Sequence, residues 1–331
     1  MGSSKDDIAP IGGFPEYDIS EDIKRWFGSN FVLPMTLHSD FDINPSGLCP
    51  PDTWLDYLIV VKSSPGNFMR RRLIRSTFGR RDLFSDLTQR TVFLLGRQEA
   101  EVAEVSRGLR QEVWRHQDIV QGQFTDSYMN LTLKAVMGLR WISAHCPRVK
   151  FLINIDDDVW INIFQIVNKW IPKLSERSHQ IACPCWAKDA KKIERNDTRW
   201  RVADAEFRGL ELFPVQHCNG FFALLTGDLL GPLMSAARVN PQFWIDDVYM
   251  YGLLPHTVGD VQFTNFQYMF TFMLGEVTAC IEAEGVDCKT FIFCEFRKGV
   301  DFIKERFALW DLLVSNLTET QKSAYHVNEF I

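Results

Sequence analysis

Phe151-Leu152-Ile153-Asn154-Ile155 runs straight into Asp156-Asp157-Asp158, and the reading of the fold turns on that octet. Its first five residues are an apolar run of the length expected for a strand buried on both faces, and the three carboxylates mark where the chain leaves the core. Upstream, Tyr57-Leu58-Ile59-Val60-Val61 and Thr91-Val92-Phe93-Leu94-Leu95 are runs of the same kind, the second closed by Gly96. Helical spacing separates them. The break Lys62-Ser63-Ser64-Pro65-Gly66-Asn67 is followed by a basic stretch, Arg70 to Arg75, that opens a helix. Val102, Val105, Leu109 and Val113 share one face of a second helix. Tyr128, Leu131, Ala135, Leu139 and Ile142 mark a third, which Thr125 or Asp126 can cap. This alternation predicts an α/β fold, a Rossmann-like, mostly parallel sheet flanked by helices on both faces. Ligands of such sheets collect beyond the carboxyl ends of the strands, where the acidic triplet falls.

The second half is less regular. Phe221-Phe222-Ala223-Leu224-Leu225-Thr226 reads as a strand, and Ile303, Phe307, Trp310 and Val314 mark a late helix. A chain of 331 residues allows one large α/β domain or two modest ones, and no linker separates the halves, so one domain is expected, over residues 55–315. Residues 1–54, rich in Gly, Pro, Asp and Ser, read as a stem or flexible lead-in, and 316–331 as a C-terminal tail. The 26 Phe and 10 Trp suit a large core before any sugar-stacking groove.

A formal net charge of −6 offers no basic footprint, and nucleic acid is set aside as a partner. No run of about 18 apolar residues spans a membrane. The start, Met1-Gly2-Ser3-Ser4-Lys5-Asp6, fits neither a signal peptide nor a myristoylation site, which leaves a cytosolic protein or one whose targeting segment is absent from this chain. Eight cysteines permit disulfides, although Cys183-Pro184-Cys185 is too tight for an ordinary bridge and no CxxC pair supports a zinc site. Sequons at Asn130, Asn196 and Asn316 tilt the balance to the lumen; Asn196 and Asn316 rank above Asn130, which falls within the third helix.

Two acidic sites could carry chemistry. Asp156 and Asp158, two apart on an extended segment, leave the chain on one side and offer hard oxygen ligands to Mg²⁺ or Mn²⁺, above all when a diphosphate fills the remaining positions. The competing reading is an Asp-rich turn capping a helix near Ile161. Asp246-Asp247 lies between Phe243-Trp244-Ile245 and Val248-Tyr249, bulky neighbours that would raise a carboxylate pKa and make it a better base. Here the competing reading is a helix N-terminus with a solvated first turn. Arg71 and Arg75, just after the first strand, suit phosphate recognition, or else form a basic helix face in solvent.

Several stretches resemble the beta-1,3-galactosyltransferase and N-acetylglucosaminyltransferase group, glycosyltransferase family 31. They are Arg71-Arg72-Leu73-Ile74-Arg75-Ser76-Thr77-Phe78, Gln117-Asp118-Ile119, Phe124 to Lys134, Trp141, Cys146, Phe151 to Asp158 with Ile161-Asn162, and Ile245 to Tyr249. The resemblance covers residues 57–310. It implies a GT-A fold, a UDP-sugar donor carrying galactose or N-acetylglucosamine, and a cation, usually Mn²⁺. A glycan hydroxyl of a glycoprotein or glycolipid would accept the sugar in a β-1,3 linkage. Asp158 would be the direct metal ligand, Asp156 would face the metal, ribose or sugar, and Asp157 would support them. Asp247 matches the family's catalytic position, with Asp246 its neighbour and rival. The resemblance also implies a type II protein of the Golgi lumen whose anchor is missing from this chain. Three positions depart from the pattern. Phe78 replaces a common Trp, Gly252 follows the acidic pair one residue late, and Phe293-Cys294-Glu295-Phe296 stands where many members carry Cys-His. Glu295 would then bring oxygen to the metal, and the rival expectation is a catalytically silent glycan-binding member.

Overall fold

The computed structural model describes residues 14–28, 31–196, 199–294 and 301–327. Its strands are β1 (Phe41–Ile43), β2 (Tyr57–Lys62), β3 (Gln89–Arg97), β4 (Ile119–Thr125), β5 (Phe151–Asp156), β6 (Val159–Ile161), β7 (Gln180–Cys183), β8 (Cys185–Trp186), β9 (His217–Cys218), β10 (Phe222–Thr226), β11 (Gln262–Asn265), β12 (Phe270–Thr271) and β13 (Ile292–Cys294). The main sheet has the order β1-β4-β3-β2-β5-β10-β7-β11. β4, β3, β2 and β5 run parallel, as the apolar runs predict for β2, β3 and β5 and without a predicted strand at β4, while β1 at the edge and β10 within the sheet are antiparallel and make it mixed.

Alternation along each strand feeds two cores. Leu58, Val60, Leu94 and Leu152 point to one face; Ile59, Val61, Phe93, Ile153 and Ile155 point to the other. On the first face lies helix α4 (Leu131–His145), pressed so close to β3 that a Cβ on Gly138 would meet Leu94 Cδ1 at 2.3 Å. Helices α2 (Phe68–Ser76) and α3 (Ala103–His116) contribute Ile74 and Leu109 to the second. β6, β12 and β13 form a small sheet beside the end of β5. No helix among the described residues is long and apolar enough to cross a membrane.

Two boundaries need correction. The stem expected over residues 1–54 is packed from Phe14 onward. Ser20 caps helix α1 (Glu21–Phe27), whose Ile23, Trp26 and Phe27 are buried, with Phe27 4.8 Å from the Phe207 ring. β1 pairs with β4, and Cys49 is bonded to Cys146 at the end of α4. The described part of the tail expected at 316–331, up to Val327, is likewise docked: Thr318 and Gln321 close a capping box, Leu317 and Val327 are buried, and Tyr325 lies 4.7 Å from Phe164. Polar composition concealed the few apolar anchors in both segments. Disulfides also join Cys183 to Cys218 and Cys280 to Cys288, while Cys185 and Cys294 are free and buried.

Candidate active site

Parallel pairing sets the ends of β2 and β5 flush, with Lys62 opposite Asp156. The Lys62 ammonium donates to Asp246 Oδ2 at 2.7 Å and to the Gly220 carbonyl at 3.0 Å, and lies 3.1 Å from Asp156 Oδ1. One buried cation thus gathers both acidic motifs, although 90 residues separate Asp156 from Asp246 in the chain. Burial alone would push the ammonium down, but the Asp156 and Asp246 charges outweigh it and hold Lys62 well above the usual lysine range.

The loop after β2 organises the rest of the triplet. Ser63 Oγ and Asn67 Nδ2 donate to Asp157 Oδ2 at 2.6 and 2.8 Å, and Arg70 donates to Asp157 Oδ1 at 2.7 Å. Asp157 is buried, with both oxygens engaged by these three side chains. Arg70 also reaches Asp158 Oδ2 at 3.3 Å. Asp156 and Asp158 remain over one third exposed, at 36% and 39% of their side chains. Burial, reinforced by Asp158 and Asp246 against the pull of Lys62, raises Asp156 to about 6. Burial and the Asp157 charge, opposed by Arg70, raise Asp158 as well.

Asp246 and Asp247 open the helical turn Asp246–Val248, which continues as a π-helical segment, Tyr249–Leu253, and an α-turn, Leu254–Val258. Thr132 Oγ1 donates to the Phe243 carbonyl at 2.6 Å and ties this entry to α4. π-segments shift the side chains that follow by a fraction of a turn and recur at functional sites. This one carries Tyr251, whose hydroxyl accepts from Asn154 Nδ2 at 3.1 Å. The Asp246-Asp247 turn is not the solvated first turn that a simple cap would present. Asp246 is buried against Lys62, and Asp247 is pushed up to about 8 by burial and then by Asp246, with Lys62 and the Gly220 N–H pulling the other way. Gly220 gives the acid its room: a Cβ there would lie 1.9 Å from Asp247 Oδ1.

The two expected donor-binding arginines are elsewhere employed. Arg71 is fully buried and clamps both oxygens of Glu112 at 2.9 and 2.6 Å through Nε and Nη2; Nη2 also donates to the Pro65 carbonyl, and Nη1 donates to Ser63 Oγ and the Ser64 carbonyl. Arg75 grips both oxygens of Asp118 at 2.7 and 2.8 Å and Glu112 at 2.6 Å. Their forks are filled, so neither faces a phosphate, and neither forms a solvated helix face. Asp126 is no cap either: it accepts from Lys134 at 2.9 Å, Ser64 at 3.2 Å and the Gly96 N–H at 2.7 Å, and Lys134 also donates to the Ser63 carbonyl. The stretch from Asp126 to Lys134 is therefore a strut under the Ser63-Ser64 loop.

Lys62, Arg70, Ser63, Asn67 and Gly220 belong to the centre and are not singled out by the sequence reading. A lysine ending an apolar strand was the available signal for Lys62. Glu295 lies outside the described residues. Among the described residues no three His, Cys, Asp or Glu side chains are arranged to hold a metal ion. Asn196 and Asn316 are exposed, and Asp197 and Thr198 of the first sequon lie outside the described residues. A cavity of about 690 Å³ lined by Ile43, Arg97, Leu109, Trp114 and Gln121 lies beside α3 and touches none of the aspartates above.

Residues 69–266 match the family model described as Galactosyltransferase. The human acetylgalactosaminyl-O-glycosyl-glycoprotein beta-1,3-N-acetylglucosaminyltransferase is 33% identical over 58% of this chain and 50% of its own length. Human beta-1,3-galactosyltransferase 2 is 26% identical over 66% and 51%. The Drosophila melanogaster beta-1,3-galactosyltransferase brn is 32% identical over 61% and 60%. The chain thus spans about half the length of the first two relatives. Among solved structures, the apo form of the bifunctional glycosyltransferase WbbM aligns at 10% identity and a TM-score of 0.41, over 85% of this chain and 53% of that one. LgtC, a galactosyltransferase with donor and acceptor sugar analogs, aligns at 10% identity and 0.36, over 81% and 99%. The mixed, largely parallel sheet, with the acidic triplet at the end of β5, is the Rossmann-like α/β architecture expected from the sequence. Because the family model spans more than half of it, the chain belongs to the galactosyltransferase family.

Proposed function

We propose that this protein is an inverting, metal-dependent glycosyltransferase that moves galactose or N-acetylglucosamine from a UDP-sugar to a glycan hydroxyl through a β-1,3 linkage. The observation that carries the reading is the Lys62 bridge, which sets the end of β5 and the Asp246-Asp247 turn within one salt-bridge length of a single ammonium. Beta-1,3 transfer is what the names of the three relatives state of those proteins.

Asp156 and Asp158 are partly exposed oxygen donors that crowd each other, a donor set that fits Mn²⁺ or Mg²⁺ with positions left for diphosphate oxygens. When bound, the cation would offset the charge on the departing nucleotide diphosphate. Asp157, locked by Ser63, Asn67 and Arg70, holds the triplet in place. Asp247 takes the proton of the acceptor hydroxyl as its oxygen attacks the anomeric carbon from the face opposite the nucleotide, so an α-linked donor gives a β-linked product. A carboxylate raised towards 8 is a strong base once ionised, and burial next to Asp246 raises it. The acceptor would be a glycoprotein or glycolipid glycan. The compartment proposed is the Golgi lumen, where Asn316 and Asn196 could carry glycans of their own.

Nucleotide release across a panel of UDP-sugars and glycan acceptors, with and without Mn²⁺, tests this directly. Asp158→Ala should remove Mn²⁺-dependent donor binding in calorimetry while the protein stays folded. Undiminished donor affinity in that variant would overturn the metal assignment. Secretory expression should yield an endoglycosidase-sensitive product; an unglycosylated protein with every thiol free would count against the lumen.

A further inference from the structure

One exposed aromatic cluster stands directly beside the proposed base. Trp200 is 51% exposed, yet its indole N–H is committed, donating to the Tyr128 hydroxyl at 2.7 Å. The Arg199 guanidinium lies 3.9 Å from the centre of the Tyr128 ring and covers it. Tyr128 meets Trp244 edge-on at 6.2 Å, and Trp244 stands two residues before Asp246. Both ends are anchored: Tyr128 enters α4, and the Thr132 hydroxyl holds the Phe243 carbonyl. Burial raises the Tyr128 phenol, the Trp200 N–H opposes that, and the Asp247 charge adds to the rise, an electrostatic sign of how near the ring stands to that acid.

An indole left open to water, with its one polar group tied to a second side chain, is oriented for contact rather than for solvation. We propose that Trp200, braced by Tyr128 and flanked by Arg199, is the stacking platform for a neutral pyranose of the acceptor glycan, set so that a hydroxyl of the acceptor faces Asp247. The inference rests on the transferase reading and deepens it by giving the acceptor its place. An aromatic face binds the axial C–H groups of a sugar ring, and the Arg199 fork supplies hydrogen-bond donors to ring hydroxyls. Charge gives the platform no selection for an anionic sugar, because Asp246 and Asp247 oppose what Arg199 favours, and a neutral ring is the one the aromatic face alone can hold.

Two measurements separate the platform from the reaction. In transfer assays, Trp200→Ala should raise the acceptor KM about tenfold, with the donor KM and acceptor-independent donor hydrolysis unchanged, and Trp200→Phe should recover most of the loss. Tyr128→Phe, which removes the hydroxyl that orients the indole, should raise the acceptor KM by a smaller factor. Trp114→Ala, on α3 and more accessible still at 80% exposed, is the control and should match the parent. An unchanged acceptor KM in an active Trp200→Ala enzyme would overturn the platform and leave the transferase reading standing. If the parent transfers nothing, tryptophan fluorescence titrated with the same neutral acceptor glycans decides the matter. A response lost in Trp200→Ala keeps the platform and overturns the enzyme; no response in the parent overturns the platform as well.

Discussion

Arg71, Arg75, Glu112 and Asp118 form one charged cluster, and Lys62, Arg70 and five aspartates form another; Ser63 touches both, accepting from Arg71 and donating to Asp157. In the first cluster each guanidinium fork meets a carboxylate. Burial would raise Glu112, but Arg71 and Arg75 hold it below its ordinary range. In the second, Asp156, Asp157, Asp158, Asp246 and Asp247 outnumber their cations, and Asp156 and Asp247 are pushed upward instead. Direction of shift separates scaffold from site. Charges that stabilise one another's ionised forms hold helices together, whereas carboxylates that crowd one another call for a cation or a proton.

The sharpest break in that contrast is Asp247→Asn. It should lower turnover by about 10²- to 10⁴-fold with donor binding retained, while Asp246→Asn should be milder. A greater loss at Asp246, read in the same steady-state assay, would exchange the two roles. Gly220→Ala comes next. Its Cβ would displace the Asp247 carboxylate, and displacements of about 1 Å cost on the order of 10²-fold in rate, with little change in melting temperature. If the variant were as active as the parent, the glycine would not be what positions the acid.

The scaffold half is tested by stability. Arg71→Met leaves Glu112 buried beside one fewer cation and should cost about 3–5 kcal/mol in urea unfolding. Arg70→Met, where Arg70 itself is partly exposed and Ser63 and Asn67 still donate to the buried Asp157, should cost less, about 1.5 kcal/mol. Equal losses would erase the distinction between the clusters. The smallest effect expected is on pH dependence. A base works when deprotonated, so kcat/KM should climb as pH rises through about 8, the value to which Asp247 is raised. Asp246→Asn removes a charge that contributes to that rise and should move the midpoint down. A profile flat across this range would mean that Asp247 does not titrate in catalysis.

The parallel half of the sheet was legible because β2, β3 and β5 are apolar runs that need no partner to be recognised. The acidic motifs were legible for a related reason, since carboxylates beside such runs are conspicuous. What escaped was pairing. Arg71 and Arg75 look like phosphate ligands in one dimension because Glu112 and Asp118, which occupy them, stand about 40 residues away. Lys62 looks like an ordinary strand end because Asp246 is 184 residues distant. β10 was recognised as a strand, but its antiparallel placement between β5 and β7 leaves no mark in local periodicity. The N-terminal segment misled in another way: Ile23, Trp26 and Phe27 are a short apolar patch in a stretch dominated by Gly, Pro and Asp, and composition averaged them out.

That segment bears on how the protein is best produced. A fragment starting at residue 55, where the apolar runs begin, would strip β4 of β1, leaving a sheet edge of unpaired amides and carbonyls. It would also give Cys146 an unbonded thiol and bare the surface that α1 covers, including Phe207 and Phe243. Open strand edges next to uncovered aromatic rings promote aggregation. Such a shortened protein would therefore be recovered in inclusion bodies for reasons unrelated to its chemistry, whereas one starting ahead of Phe14 keeps the edge closed and the thiol paired.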